Sequence, residues 1–395
     1  MAGDPSMCRT VVLACTAVAL LLPVTGEAQG YSANRAMLDS LRARVAADSN
    51  EPGVHYDLAM ELIARKRWDA ADSALAQVVL LDPQHADAWM EISLLPERRG
   101  EGYWRTYRKE RGPAGLDTLV AQLRRAQRKS FLLDPTADLH LVRFVREATR
   151  RPMFFIPWWF GGYERALKEA ARSRPGQAHD ELSKILADPR AAAGRAAPGG
   201  VLHFHGILSL ELGKYDAATA DFALLTGRAF YAETLGTLPV LAANDARYAL
   251  ATSRLLAGQL HEAAATFRRV LEFDASVWQA HTQLARVHEA LGLFEEAVAE
   301  RQRALDVNPE EWSLLLELGA SLTRAGRIDE AEEVLERVVV RAPRSALAWL
   351  TLGMVAEDRG NVARAREAYA RFVAVAPRRM GHQVTQVNGR LAGLQ

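Results

Sequence analysis

Histidines and paired carboxylates carry most of the chemical potential in this 395-residue chain. Two pairs, His261-Glu262 and His288-Glu289, begin the zinc-protease pattern His-Glu-x-x-His. That pattern needs its second histidine four residues on, so that both imidazoles reach one metal from the same helical face. Ala265 and Gly292 stand at those positions, which leaves too few ligands for zinc. His203-Phe204-His205 would direct its two rings about 200° apart on a helix, a poor arrangement for one ion. His281 and His288 are seven apart and share a face, which suits packing better than ligation. The doublets Glu295-Glu296, Glu310-Glu311 and Glu332-Glu333 fall near expected helix starts. There a carboxylate is favoured by the helix dipole without any catalytic task. No phosphate-cradling glycine motif and no Gly-x-Ser-x-Gly elbow occurs. The reading is therefore of a non-enzyme, with no catalytic residue, no metal and no cofactor.

Composition agrees with a folded chain rather than a charged tail. Apolar residues are 49%, and 49 Lys+Arg against 48 Asp+Glu leave a formal charge of +1, so no global field selects nucleic acid. Both cysteines, Cys8 and Cys15, lie in the first thirty residues. Residues 11–22 are continuously apolar or small, too few to span a bilayer, which needs roughly 20, but suited to a signal-peptide core. Cleavage is expected after Ala28, whether translation starts at Met1 or at Met7. The mature chain would then hold no cysteine, and would be exported to the periplasm or secreted.

A period organises the rest. Gly258, Gly292, Gly326 and Gly360 are each 34 residues apart, and an alanine follows five residues after each: Ala263, Ala297, Ala331 and Ala365. Pro309, Pro343 and Pro377 keep the same step. Gly213 and Ala218 carry the pattern back across an insertion. A fixed period of this length means a solenoid of two-helix units, none of which can bury its apolar face alone. In 312–345, Leu315, Leu318, Gly319 and Leu322 recur at helical spacing before Gly326; Ala331, Leu335 and Val338 resume it, and Pro343 ends it.

These units resemble the tetratricopeptide repeat family. In 346–379, Trp349, Leu352-Gly353, Gly360, Ala365, Tyr369 and Pro377 match its pattern. Units 199–232, 244–277, 278–311 and 312–345 fill an array over 191–379, and 52–85 fits with Leu58, Ala71, Leu75 and Pro83. Departures are His281 for a core Trp, Arg301 for a large apolar residue, and Phe230 and Ala275 for proline. The resemblance implies an all-α, right-handed superhelical solenoid, with a concave surface lined by first helices. On that pattern the lining includes Tyr248, Arg286, Glu289, Leu316, Arg324 and Glu357. It implies a protein or peptide partner and a scaffold's role in the cell envelope. Every lysine precedes residue 215, so the family's lysine-based clamp for acidic peptide ends is absent from the main array.

The N-terminal region, 29–190, reads as interrupted repeats. Pro96 to Pro113 is expected to be an insertion at a turn. A unit beginning near Asp138, with Leu141 and Val145, would resume at Gly161-Gly162-Tyr163 and Ala166. Residues 191–200 are the expected linker, and 380–395 the expected cap. Two features exceed background. Residues 98–151 hold 14 Lys+Arg and 6 Asp+Glu, with Tyr103, Trp104, Tyr107 and Phe131 among them. Beside them runs Met153-Phe154-Phe155-Ile156-Pro157-Trp158-Trp159-Phe160, expected at a turn between helices. Eight apolar residues are costly to expose, so the run either plugs the groove or caps the junction at 191–200, or Trp158 and Trp159 dock a partner or the membrane interface. This gives an alternative reading, a peripheral adaptor acting through 98–160.

Overall fold

The structure, a computed structural model, describes residues 27–139, 158–192, 199–226 and 243–394. The leader up to residue 26, Leu141, Val145, residues 153–157 of the aromatic run, most of the 191–200 link and Phe230 lie outside the described residues. Within those described there is no strand. The helices are α1 (Glu27–Ala47), α2 (Pro52–Ala64), α3 (Trp68–Leu81), α4 (Ala86–Arg99), α5 (Glu101–Leu133), α6 (Phe160–Ala171), α7 (Pro175–Leu186), α8 (Gly199–Glu211) and α9 (Tyr215–Thr226). There follow α10 (Ala243–Leu256), α11 (Leu260–Phe273), α12 (Trp278–Ala290), α13 (Phe294–Val307), α14 (Trp312–Arg324), α15 (Ile328–Arg341), α16 (Ala346–Asp358), α17 (Val362–Val375) and α18 (Gly381–Gly393).

The chain divides into two compact units. One spans residues 89–274; the other joins 24–88 to 275–395, so it is built from sequence-distant parts of the chain. In the second unit α12 to α17 pack each against the next, and α18 closes on α17 with Val387 buried. The α14–α15 hairpin shows two devices at work. Gly326 takes φ 76°, a left-handed conformation in which a Cβ would clash, and this turns the chain between α14 and α15. Gly319 then lets α14 meet α15: a Cβ there would lie 2.8 Å from Leu335 Cγ. The period-marking alanines Ala263, Ala297, Ala331 and Ala365 are all fully buried, where a larger side chain would hold the helices apart.

The first unit departs from the expected phase. The described end of the aromatic run, Trp158–Phe160, sits at the start of α6. α6 is itself a first helix and packs on α7. The turn between them is Ser173, at φ 57°, with the buried Ala178 five residues on. A serine in the glycine position conceals this hairpin from a glycine count; Lys66, also φ 57°, does the same before Ala71. The stretch 96–113 is helical as well. α4 runs through Pro96 to Arg99, and α5 follows after Gly100. Its kink falls at Gly112 (φ 70°), after which Pro113 opens the second limb, where no amide donor is required.

Candidate functional site

In the second unit α16, the first helix of its repeat, leaves part of its surface uncovered. On α16, Leu347 is 53% exposed and Met354 44%, with Leu350 half-buried between them. Their spacing of three and four residues makes a single apolar stripe. Stable packing would hide such side chains, yet these lie outward beside the buried Trp349 and Leu352. The lining expected from the repeat pattern, Tyr248, Arg286, Glu289, Leu316, Arg324 and Glu357, does not include this stripe. Leu347, Leu350 and Met354 recur at the repeat positions of Ser313, Leu316 and Ala320, so the register alone could have found them.

The expected lining residues divide into three groups. Arg286 is exposed, its Nη1 donating only to Gln283 Oε1 at 3.3 Å. Leu316 is half-buried on α14. Glu289, Arg324 and Glu357 are held by the scaffold itself. Glu289 Oε1 accepts from Ser321 Oγ at 2.6 Å and from Arg324 Nη1 at 2.8 Å, tying α12 to α14. Glu357 accepts from Tyr369 Oη at 2.5 Å and Arg390 Nη1 at 2.7 Å. The tyrosine's hydrogen bond, with the arginine, holds the Glu357 carboxyl below its ordinary range. Burial and that carboxylate push the Tyr369 hydroxyl up to about 12.

Two expected contacts are not available. Tyr248 is 1% exposed: its hydroxyl donates to the Leu132 carbonyl at 2.5 Å and its ring meets Phe267 edge-on. The second limb of α5 therefore seals the position that the repeat pattern would open. Trp159 is buried too, packed edge-on against Tyr163 in a core that includes Met90, Leu94, Leu167 and Phe204. Trp158 is half-buried, with the Arg190 guanidinium 4.6 Å from its ring centre.

Two departures from the repeat pattern, Arg301 and His281, have partners. Arg301 is buried and pairs with Glu317. His281 Nδ1 lies 2.6 Å from Glu300 Oε2, and Arg303 pairs with the same carboxylate. Burial alone would raise Glu300; the hydrogen bond with His281 and the charge of Arg303 hold it below its usual value. Each substitution thus replaces an apolar contact by a polar one between helices. Among the described residues no group of three or more His, Cys, Asp or Glu is placed to hold a metal ion.

The basic stretch is partly neutralised within its own unit. Arg98 lies 3.1 Å from the fully buried Glu91 carboxylate. Arg128 bridges Asp245 (3.1 Å) and Asp274 (2.9 Å), and Lys129 stands 4.2 Å over the Trp89 ring. Arg105, Arg108, Lys109, Arg111, Arg124 and Arg125 remain exposed along α5.

One constellation was invisible in the sequence. Asp221 Oδ2 lies 2.6 Å from His205 Nδ1, and His205 Nε2 lies 2.9 Å from Ser183 Oγ, in the order of a serine-nucleophile relay. His179 stacks on His205 with ring centres 4.2 Å apart, and Lys214 Nζ is 3.3 Å from His179 Nδ1. His203 is engaged elsewhere, 3.0 Å from Asp138. Ser183, however, sits inside α7 and its hydroxyl lies 2.9 Å from the His179 carbonyl, one turn back. Amides in a helix interior are already committed to the helix, so none is free beside Ser183 to stabilise an oxyanion. The relay is a packing network. Burial, together with His205 and Lys214, pushes the His179 pKa down, and burial raises that of Asp221.

Comparison with known families follows the same register. A profile described as Tetratricopeptide repeat matches residues 56–101, 282–343 and 316–379, and a second of that description matches 245–273. These stretches of the chain are tetratricopeptide repeats. No curated protein matches it. Among solved structures, MamA is 15% identical over 48% of this chain and 96% of its own, with a TM-score of 0.36. YrrB, described as a TPR protein with an unusual peptide-binding site, is 18% identical over 50% and 94%, with a TM-score of 0.38. The C-terminal part of a TPR repeat-containing protein from Cytophaga hutchinsonii is 14% identical over 54% and 78%, with a TM-score of 0.43. At such identity and superposition these likenesses carry nothing about ligands.

Proposed function

We propose that this chain is a non-enzymatic scaffold that holds a segment of a partner protein against the first-helix face of its C-terminal repeats. Tetratricopeptide repeats are in general protein-interaction modules, which supports the class of job. The observation that carries the reading is the exposed row Leu347, Leu350 and Met354 on α16. An apolar stripe of this spacing fits a partner helix or an extended peptide with apolar anchors. Arg286, which has no carboxylate partner, favours an acidic residue in that segment. The cell envelope is the proposed location, on the strength of the apolar leader at 11–22. Affinity capture from the native envelope fraction tests this, with residues 29–395 as bait and a Leu347→Ser, Met354→Ser bait as control. One protein enriched by the first bait and lost with the second supports the scaffold. Equal capture by both removes α16 from the site.

A second reading is favoured by α5. Its first limb presents Arg105, Arg108, Lys109 and Arg111 beside Tyr103, whose ring centre lies 5.8 Å from that of Trp104 and 5.9 Å from that of Tyr107. Cations beside half-buried aromatics suit an anionic bilayer surface. No described helix is long and apolar enough to cross a membrane, so the contact would be peripheral. Co-sedimentation with anionic vesicles that is unaffected by Arg105→Glu and Arg108→Glu would sink this reading.

A further inference from the structure

The second unit contains residues from both parts of the chain, and a set of hydrogen bonds and ion pairs joins them. Asn50 Nδ2 donates to the Val375 carbonyl at 3.0 Å, meeting the exposed end of α17. Arg344 donates from Nε to Asn50 Oδ1 at 2.7 Å and from Nη2 to the Ser49 carbonyl at 2.6 Å. The Arg378 amide donates to Asp48 Oδ2 at 2.7 Å, and Arg379 pairs with Glu51. Further along, Gln84 Nε2 donates to Glu317 Oε1 at 2.8 Å, on the carboxylate that Arg301 also holds.

The two sides are complementary in charge. The corner between α1 and α2 reads Asp48-Ser49-Asn50-Glu51, while the facing corners carry Arg344, Arg378 and Arg379. These residues are exposed or half-buried. The repeat-to-repeat joints behave differently, since they bury Leu314, Leu315, Leu335 and Val338. Apolar joints are insensitive to salt, whereas exposed polar contacts are individually weak and screened by it. Charge-bearing contacts of this sort set a closed state that ionic strength can open while each side stays folded.

We propose that residues 48–51 and Gln84 form a reversible polar clasp that latches the N-terminal repeat, 52–85, onto repeats 312–379. The N-terminal repeat is released as a body when salt or a competing anion displaces the arginines. Glu317 follows Leu316 on α14, so the clasp also adjoins the first-helix face; its existence does not depend on what that face binds. Leu347 and Met354 remain exposed with the clasp closed.

Distance measurement between spin labels tests this in the full chain. Labels go on Asp72→Cys in α3 and Arg366→Cys in α17, both exposed, with Cys8→Ser and Cys15→Ser. The expected result is one narrow distance population at about 0.05 M salt, lost at about 1 M. Arg379→Glu should lose it at low salt, and adding Glu51→Lys should restore it. Unchanged far-ultraviolet helicity in every variant separates release from unfolding. A narrow population that persists at high salt overturns the proposal, as does a charge swap that fails to restore closure.

Discussion

A tyrosine that donates to a carboxylate resists ionisation, because the phenolate would face a like charge. Tyr369 is the clearest case here, pushed up to about 12 by burial and by Glu357. Replacing Glu357 by Gln removes the charge and keeps the shape. The tyrosine should then titrate nearer its usual value of about 10, which absorbance at the phenolate band reads directly; an unmoved titration would show that burial alone sets it. His179 gives a prediction of opposite sense. Its folded pKa is lowered, so the unfolded chain takes up its proton first as pH falls. Stability of the first unit should therefore decline as pH drops below the ordinary histidine value of 6.5. Lys214 faces this ring, as do His205 and Asp180. In His179→Gln the loss of melting temperature between neutral and mildly acid pH should shrink; an identical slope would place the acid sensitivity elsewhere. Single residues were also where sequence reading was weakest. Tyr248 holds a lining position by register, but its fate is set by Leu132, 116 residues away, and a 34-residue period carries no information about a partner outside it.

At the scale of the element, the turn positions are where local sequence and fold agree most closely. The four glycines at the period all take positive φ, and their spacing alone located the hairpins they join. Gly326→Ala should cost about 1 kcal/mol, since alanine must then adopt the left-handed conformation. Lys66 and Ser173 already bear that strain, so Lys66→Gly or Ser173→Gly should raise the denaturation midpoint or leave it unmoved. A fall in either would mean that the side chain makes a compensating contact. The same pair explains why the α6–α7 hairpin was not legible. Its register is intact, from Ser173 to the buried Ala178, but its marker residue is not a glycine. The helicity of 96–113 escaped for a related reason. Proline and glycine favour a turn there, whereas the chain uses Gly100 and Gly112 as joints between helices and tolerates Pro96 near the end of α4.

For the whole molecule, the arrangement of units separates two kinds of stability. A solenoid is a sum of hairpins and nearest-neighbour joints, so a run of joined hairpins can fold without the rest of its chain. Residues 275–395 hold three hairpins and a closing helix, joined through buried apolar residues from α13 to α18. Residues 27–88 hold one hairpin and α1, and meet the other part of their unit through the polar corner at 48–51 and Gln84. Isolated helices of this length are marginal in water, and one hairpin buries little. A fragment of 275–395 should therefore be helical and melt cooperatively, while a fragment of 27–88, which keeps its own hairpin when released, should be helical with a lower midpoint. Circular dichroism on the two fragments decides it. If 275–395 fails to fold while the intact chain does, the N-terminal repeat is an obligatory part of the core. The polar corner would then be the edge of a larger joint. If both fragments fold, residues 52–85 form an autonomous module whose attachment rests on Asp48, Asn50, Glu51 and Gln84.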